Sequence, residues 1–342
     1  MRRKRATSQD VANLAGVSRT TVSLVLNNVK RASIPPQTRQ KVYDAAETLN
    51  YVPNATAQAL ATQRTKAIGL IMTRSPHHIS SDTFLPQIIG GLLEITKKEN
   101  FRLLIELVEE GHQERVYLEL ARAKHIDAMI LLTPRLDDKG IKKLEDVGIP
   151  TVLMGKLEDL ELYAVGVDNR NAAKKATQHL IDLGHTKIAC IGNARPSYGA
   201  ARDRVLGYKD ALLEAGFTPD DSLIRYADFD PQSGYEAMQS LLDSKQEITA
   251  VFVASDNVAM GAKSALREAD LRIPEDISLV GFDDIPWASY SDPPLTTVRL
   301  PAHELASEAC LLLLDLLKGV EVKERSLILD TELIVRQSCK AI

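Results

Sequence analysis

The chain is poor in sulfur and in aromatic residues: three cysteines, one tryptophan and 5% Phe, Trp and Tyr among 342 residues. Cys190, Cys310 and Cys339 stand far apart and form no CxxC. That indicates neither a disulfide framework nor a zinc site and reads as a reduced, cytosolic interior. No stretch approaches the roughly 18–20 apolar residues needed to cross a bilayer. The longest apolar run near the end, Cys310-Leu-Leu-Leu-Leu, stops at Asp315. The basic start, Met1-Arg-Arg-Lys-Arg5, is not followed by the apolar segment of a secretory signal. There is no GxxxxGK[ST], no GxGxxG after a strand, no GxSxG and no HExxH. Catalysis therefore has no phosphate loop and no nucleophile, and no cofactor is expected. A large excess of either charge is also lacking, with 42 Lys and Arg against 46 Asp and Glu for a net −4.

That balance conceals a division along the chain. Residues 1–66 hold eleven Lys and Arg against Asp10, Asp44 and Glu47, a net +8, which leaves −12 on the other 276 residues. A small basic module facing a polyanion, attached to a body that does not, is the arrangement this suggests. Within the module, Thr7 precedes Ser8-Gln-Asp10 as a helix N-cap with an acid at N3, and the apolar spacing predicts a helix over 8–15. Gly16 supplies a turn, and Ser18 caps a second helix to about Asn27. In that helix Val22, Val25 and Leu26 face inward, leaving Arg19, Thr20, Ser23, Leu24 and Asn27 on the open side. Pro36 opens a third helix running through Leu49, with Val42, Ala45, Ala46 and Leu49 as its apolar stripe. The pattern is a helix–turn–helix, whose second helix reads base edges in the major groove. Tyr51-Val-Pro53 is extended backbone, and Asn54 caps a short helix, Ala55–Thr62, that is marginal in isolation and suited to ordering by a partner.

From Ala67 onward short β-branched runs alternate with helical patterns. Strands are expected at 67–72, 102–105, 128–132, 151–154, 187–191, 250–253 and 277–281, and helices at 85–100, 114–123, 139–147, 171–183, 203–215, 232–243 and 258–269. This is the text of α/β doubly wound parallel sheets, long enough for two lobes. The chain is expected to pass between lobes near 165–169, 293–294 and 320–325, with a ligand cleft between them. The domain plan is thus 1–52, a linker 53–66, and a two-lobe body 67–342. The loop 73–83, with His77-His78, has no companion acid or cysteine at ligand spacing; it reads as solvated, and no metal is expected. Trp287, three residues beyond Asp284, is expected to border the cleft. Leu305–Leu317 and the helix opening at Leu85 are apolar enough to contribute a dimer face.

The run Asp10-Val-Ala-Asn-Leu-Ala-Gly-Val-Ser-Arg-Thr-Thr-Val-Ser-Leu-Val-Leu-Asn27, with Leu49-Asn-Tyr-Val-Pro-Asn54, resembles the N-terminal signature of the lactose-repressor (LacI/GalR) family of transcription regulators. Further motifs extend the likeness to nearly the whole chain: Leu180-Ile-Asp-Leu-Gly-His-Thr-Lys-Ile-Ala189, Arg204-Val-Leu-Gly-Tyr208, Val280-Gly-Phe-Asp-Asp-Ile-Pro286 and Pro293-Pro-Leu-Thr-Thr-Val298. The resemblance implies a helix–turn–helix head on a periplasmic-binding-protein-like body, binding double-stranded operator DNA as a homodimer under a small-molecule effector, a carbohydrate. It implies DNA contacts from Thr7, Ser18, Arg19, Thr20, Ser23, Leu24, Asn27, Asn54, Ala57 and Leu60, with Leu60 wedging into the minor groove. Many members carry Arg where this chain has Leu24, so the operator sequence does not carry over. For the effector it implies Phe84, Leu85, Asp168, Arg204, Phe229, Ser255 and Asp283, with Arg204 and Asp283 clamping hydroxyls and Phe229 lying against an apolar face. Ser255 stands where some sugar-responsive members have Asn. A repressor is the expected action, with inducer and corepressor modes both open. The alternatives are a solute-binding protein or an enzyme on the same two-lobe scaffold.

Overall fold

The computed structural model describes residues 6–27, 33–54, 59, 62, 64–155, 157 and 160–342. They form two units, Met1–Lys66 and Ala67–Ile342.

In the first unit local capping sets each helix boundary. α1 (Ser8–Ala15) opens on a reciprocal box in which the Thr7 side chain accepts from the Asp10 amide while Asp10 accepts from the Thr7 amide at 2.8 Å. It closes at Gly16, whose φ of 69° is the left-handed conformation that glycine adopts without strain. α2 (Arg19–Leu26) starts where Ser18 accepts from the Thr21 amide at 3.0 Å. α3 (Pro36–Thr48) carries its proline at the first turn, where the missing N–H costs nothing. Val11, Ala12, Val22, Val25, Val42, Ala45 and Ala46 make one shared core. Ala57 and Leu60 lie outside the described residues; of the helix expected over 55–62 only Ala59 and Thr62 are described, both helical.

The second unit holds two six-stranded sheets. The first contains β1 (Ala67–Met72), β2 (Arg102–Leu107), β3 (Ala128–Leu132), β4 (Thr151–Met154) and β5 (Tyr163–Val167). The second contains β6 (Ile188–Gly192), β7 (Ile224–Tyr226), β8 (Ala250–Val253), β9 (Ser278–Asp283) and β10 (Thr296–Arg299). β11 (Ser326–Leu329) joins the first sheet beside β5, and β12 (Glu332–Ile334) joins the second beside β10, antiparallel to it; the other pairings are parallel. Both sheets therefore repeat one order, β2-β1-β3-β4-β5 and β7-β6-β8-β9-β10. In a sheet so wound, the crevice lies at the carboxyl ends of β1 and β3, and of β6 and β8.

Nine helices cover the sheets among the described residues: α4 (Pro76–Ser81), α5 (Leu85–Lys98), α6 (Gln113–Arg122), α7 (Lys139–Val147), α8 (Asn169–Asp182), α9 (Gly199–Glu214), α10 (Pro231–Asp243), α11 (Asp256–Glu268) and α12 (Ala302–Lys318). β1 and β3 run almost wholly buried, as strands covered on both faces must. Glycines set the closest helix approach: a Cβ on Gly261 of α11 would meet the Pro231 carbonyl of α10 at 1.7 Å, and one on Gly234 the Val258 carbonyl at 2.1 Å.

Three expectations change here. The second and third passages between sheets come after β10, at 299–302, and between β11 and β12, at 329–332, later than 293–294 and 320–325. The paired prolines precede β10, which docks on β9 before the chain returns. Leu305–Leu317 lies in α12, which packs on α5 and buries Leu305, Leu313 and Leu314 in the first lobe's own core. Outward there remain Leu311 on α12, Leu93 on α5 and Ile105 on the edge strand β2. Finally, loop 73–83 is not simply solvated: it contains α4, and His78 within it is buried.

Candidate functional site

The first unit presents the face expected of it. Arg19, Thr20 and Ser23 are exposed on α2 while Val22 and Val25 fill the core beneath. Leu24 and Asn27 are half-buried, and Asn27 Nδ2 donates to Ser23 Oγ at 3.1 Å. Thr7 and Ser18 serve as the caps of the two helices, accepting from the Asp10 and Thr21 amides. Asn54 is exposed.

In the second unit the polar residues of interest gather at the carboxyl ends of strands in both lobes. Arg204, on α9, and Asp283, closing β9, form a buried ion pair at 3.3 Å, each side chain 8% exposed. Arg204 is held from every side. Nη1 donates to the Ala254 carbonyl at 2.6 Å, Nε donates to Asn169 Oδ1 at 2.9 Å, and the guanidinium stacks on the Phe282 ring at 3.8 Å. Burial pushes the Asp283 carboxyl up to about 6, against the opposing pull of Arg204 and of the Ser255 hydroxyl. Asp256, fully buried alongside, is pushed well above the usual carboxylate range by burial and by Asp283. It accepts from Thr297 Oγ1 at 2.6 Å and from the Ile285 amide at 3.0 Å. Asp284 points elsewhere, bound by Arg299 and Arg336.

Phe229 is buried beside Ala194, Tyr198 and Ala201, with the Tyr198 ring edge-on at 5.0 Å. Phe229 and Asp283 share a backbone feature, φ of 67° and 117° respectively, in a region that favours glycine. Non-glycine residues held there concentrate at sites where the surrounding structure imposes the geometry.

The remaining expected residues divide. Ser255 is buried at the N-cap of α11, next to Asp283. Phe84 packs against the cores of both lobes. Leu85 is buried in the first lobe's core. Asp168 is exposed and accepts from the Asn171 amide as the cap of α8, and its neighbour Asn169 is the residue that meets Arg204. Trp287 is 61% exposed on the turn Pro286–Ser289.

Several residues that sequence reasoning missed join the lobes. Tyr198 Oη donates to the Thr73 carbonyl at 2.9 Å, Asn257 Nδ2 to the Ser81 carbonyl at 2.8 Å, and the Leu136 amide to the Ser197 carbonyl at 2.8 Å. His78 Nε2 faces Asp228 at 3.2 Å, and Arg195 pairs with Glu110 at 3.0 Å. The buried Arg135 holds that same Glu110 together with Asp137, so two carboxylates converge on one guanidinium at the lip. The signal that could have found them is positional, since Thr73, Leu136 and Ser197 follow the carboxyl ends of β1, β3 and β6. Among the described residues no helix is long and apolar enough to cross a membrane.

Comparison with known proteins agrees with this geometry. Residues 7–54 match the model for bacterial regulatory proteins of the lacI family, and residues 177–339 the periplasmic binding protein-like domain. The HTH-type transcriptional regulator CelR of Thermobifida fusca is 36% identical over 341 residues, covering 98% of this chain and 99% of its own. Among solved structures, the lac repressor dimer bound to operator and the anti-inducer ONPF superposes with a TM-score of 0.86 at 29% identity, covering 99% of this chain and all of that one. A CelR–cellobiose complex superposes at 0.75 with 34% identity, covering 98% of this chain and all of that one. The helix–turn–helix head and the two-lobe body with its Arg204–Asp283 pair thus identify the chain as a member of the lacI family of transcriptional regulators, and not an enzyme.

Proposed function

We propose that this regulator acts as a cytoplasmic repressor, binding a two-fold symmetric operator as a homodimer and answering to a carbohydrate held between the lobes. The buried Arg204–Asp283 pair at the lobe boundary carries the reading. A guanidinium beside an acceptor-only carboxylate matches hydroxyls that both donate and accept, and Phe229 offers a surface for the apolar side of a sugar ring. That CelR is described with cellobiose and the lac repressor with operator supports the same assignment. Leu93, Leu311 and Ile105 supply outward apolar surface for the dimer. Two heads related by a two-fold axis meet two half-sites, and Leu60 inserts at the centre of the site. The effector acts by binding the closed and open lobe arrangements with different affinity.

Electrophoretic mobility shift of genomic fragments tests this, with and without cellobiose, lactose, galactose and ribose. The expected result is a retarded palindromic fragment, its retention altered by one sugar and its affinity falling steeply with salt. Absence of any shift at low salt refutes operator binding. A shift that no carbohydrate alters and that Leu60→Ala leaves at full affinity refutes the effector and wedge assignments.

A further inference from the structure

The loop 73–84 brings a second charged pair to the cleft, and sequence spacing gave it no role. Arg74, just past the carboxyl end of β1, donates from Nη1 to Asp82 Oδ2 at 2.6 Å, with the two side chains 6% and 8% exposed. Its guanidinium covers the Phe229 ring at 4.1 Å, and Nη2 reaches Thr133 Oγ1 at the carboxyl end of β3. Asp82 is anchored independently, because its other oxygen, Oδ1, accepts from the Phe84 and Leu85 amides and so caps α5. The pair lies within electrostatic reach of the one in the second lobe, Arg74 acting on Arg204 and Asp82 on Asp283. Two polar atoms beside Phe229 are buried and have no hydrogen-bond partner: Arg74 Nε, a donor, and Asn193 Oδ1, an acceptor. Asn193 is tied to Phe229 through the backbone, its carbonyl accepting from the Phe229 amide at 2.8 Å.

Buried polar groups are ordinarily satisfied, and an orphan donor on the arginine over the Phe229 ring with an orphan acceptor on the residue that holds the Phe229 amide point to a group that comes with a ligand. A hydroxyl, donor and acceptor in one atom, answers both. An added negative charge does not suit the place, because each arginine already has its own carboxylate. We propose that Arg74 is an effector-reading residue, that it and Asn193 take a hydroxyl of a neutral sugar at the Phe229 ring, and that Asp82 keeps the site selective against sugar acids and sugar phosphates. The inference rests on the carbohydrate reading given above and extends it to this loop.

The test is calorimetric titration of the full-length protein with neutral sugars and their anionic counterparts: glucose and glucuronate, galactose and galacturonate, ribose and ribose 5-phosphate, cellobiose and cellobionate, lactose and lactobionate. Wild type is expected to prefer a neutral sugar. Arg74→Met is expected to weaken that sugar at least tenfold, the loss of one hydrogen bond to a charged group. Asp82→Asn retains the oxygen that caps α5 but removes the charge, and is expected to shift the preference at least tenfold toward the anion. If Arg204→Met abolishes binding while Arg74→Met and Asp82→Asn change neither affinity nor preference by twofold, the inference fails and the carbohydrate reading stands. A wild-type preference for the anion overturns the inference as well. Failure of every sugar to bind wild type overturns the reading and the inference together.

Discussion

Replacing Arg204 by methionine keeps much of the side-chain volume and removes the charge. Three acceptors lose their donor: Asp283 Oδ1, the Ala254 carbonyl and Asn169 Oδ1. Deleting one partner of a buried ion pair costs about 3–5 kcal/mol, because the groups left behind stay buried without their donor. At about 2 °C per kcal/mol for a body of this size, the midpoint should fall by about 6–10 °C. The pH dependence is the sharper part. Asp283 titrates at about 6 in the folded protein with Arg204 beside it, above its ordinary value, so its ionisation already opposes folding as pH rises. Without Arg204 the folded carboxyl titrates higher still, while the unfolded chain is unchanged. Below pH 6 both folded proteins hold the proton and the variant loses only the hydrogen bonds. Above pH 6 wild type releases the proton and the variant retains it, so the deficit grows by about 1.4 kcal/mol per pH unit until the variant's own pKa is reached. Urea unfolding at pH 5.5, 7 and 8 measures this. An equal deficit at pH 5.5 and pH 8, or stability equal to wild type at pH 8, refutes the reasoning.

Thr7→Ala removes one arm of the capping box and should cost about 1 kcal/mol, visible as roughly fivefold faster amide hydrogen exchange in α1; unchanged exchange there would contradict the cap. Gly261→Ala forces a methyl group against the Pro231 carbonyl and should lower stability by about 3 kcal/mol or more, with a urea midpoint at the wild-type value as the contrary result. Tyr198→Phe deletes the bond to the Thr73 carbonyl, worth about 1 kcal/mol, and should shift the lobes about fivefold toward the open arrangement. Small-angle scattering would register a larger radius of gyration, and an identical profile would count against a closing role.

The head was almost entirely legible in the sequence because its boundaries are local: Thr7 with Asp10, Gly16, and Ser18 with Thr21 each act within three or four residues. The long strands and helices of the body were legible for a similar reason, since apolar runs such as Ile68–Met72 and Ala128–Leu132 announce burial on both faces. Tyr163–Val167 and Ile224–Tyr226 were not, the first carrying Gly166 and following a charged stretch, the second only three residues long. Arg204, Phe229 and Asp283 came from the family resemblance and are found buried close to the lobe boundary. Arg74 and Asp82 could not be found in that way. Two charged residues around a His-His pair in a loop read as solvated, and what buries them is Thr133, 59 residues away, and Phe229 in the other lobe. Asp168, expected at the site from the same resemblance, is exposed and caps the next helix, while its neighbour Asn169 meets Arg204.

The late return of the chain to both sheets has a consequence for how the body can be divided. The first lobe needs α12 and β11 from beyond residue 300, and the second closes its edge with β12 after that excursion, so the lobes are interlaced. No single cut releases either one as a continuous piece. A chain ending at residue 319 would strip an edge strand from each sheet at once, and a protease nick between the lobes would leave fragments still held together by noncovalent contacts. Folding of the two lobes is thereby tied to the last strands of the chain, and neither lobe is complete before the C-terminal segment has been made.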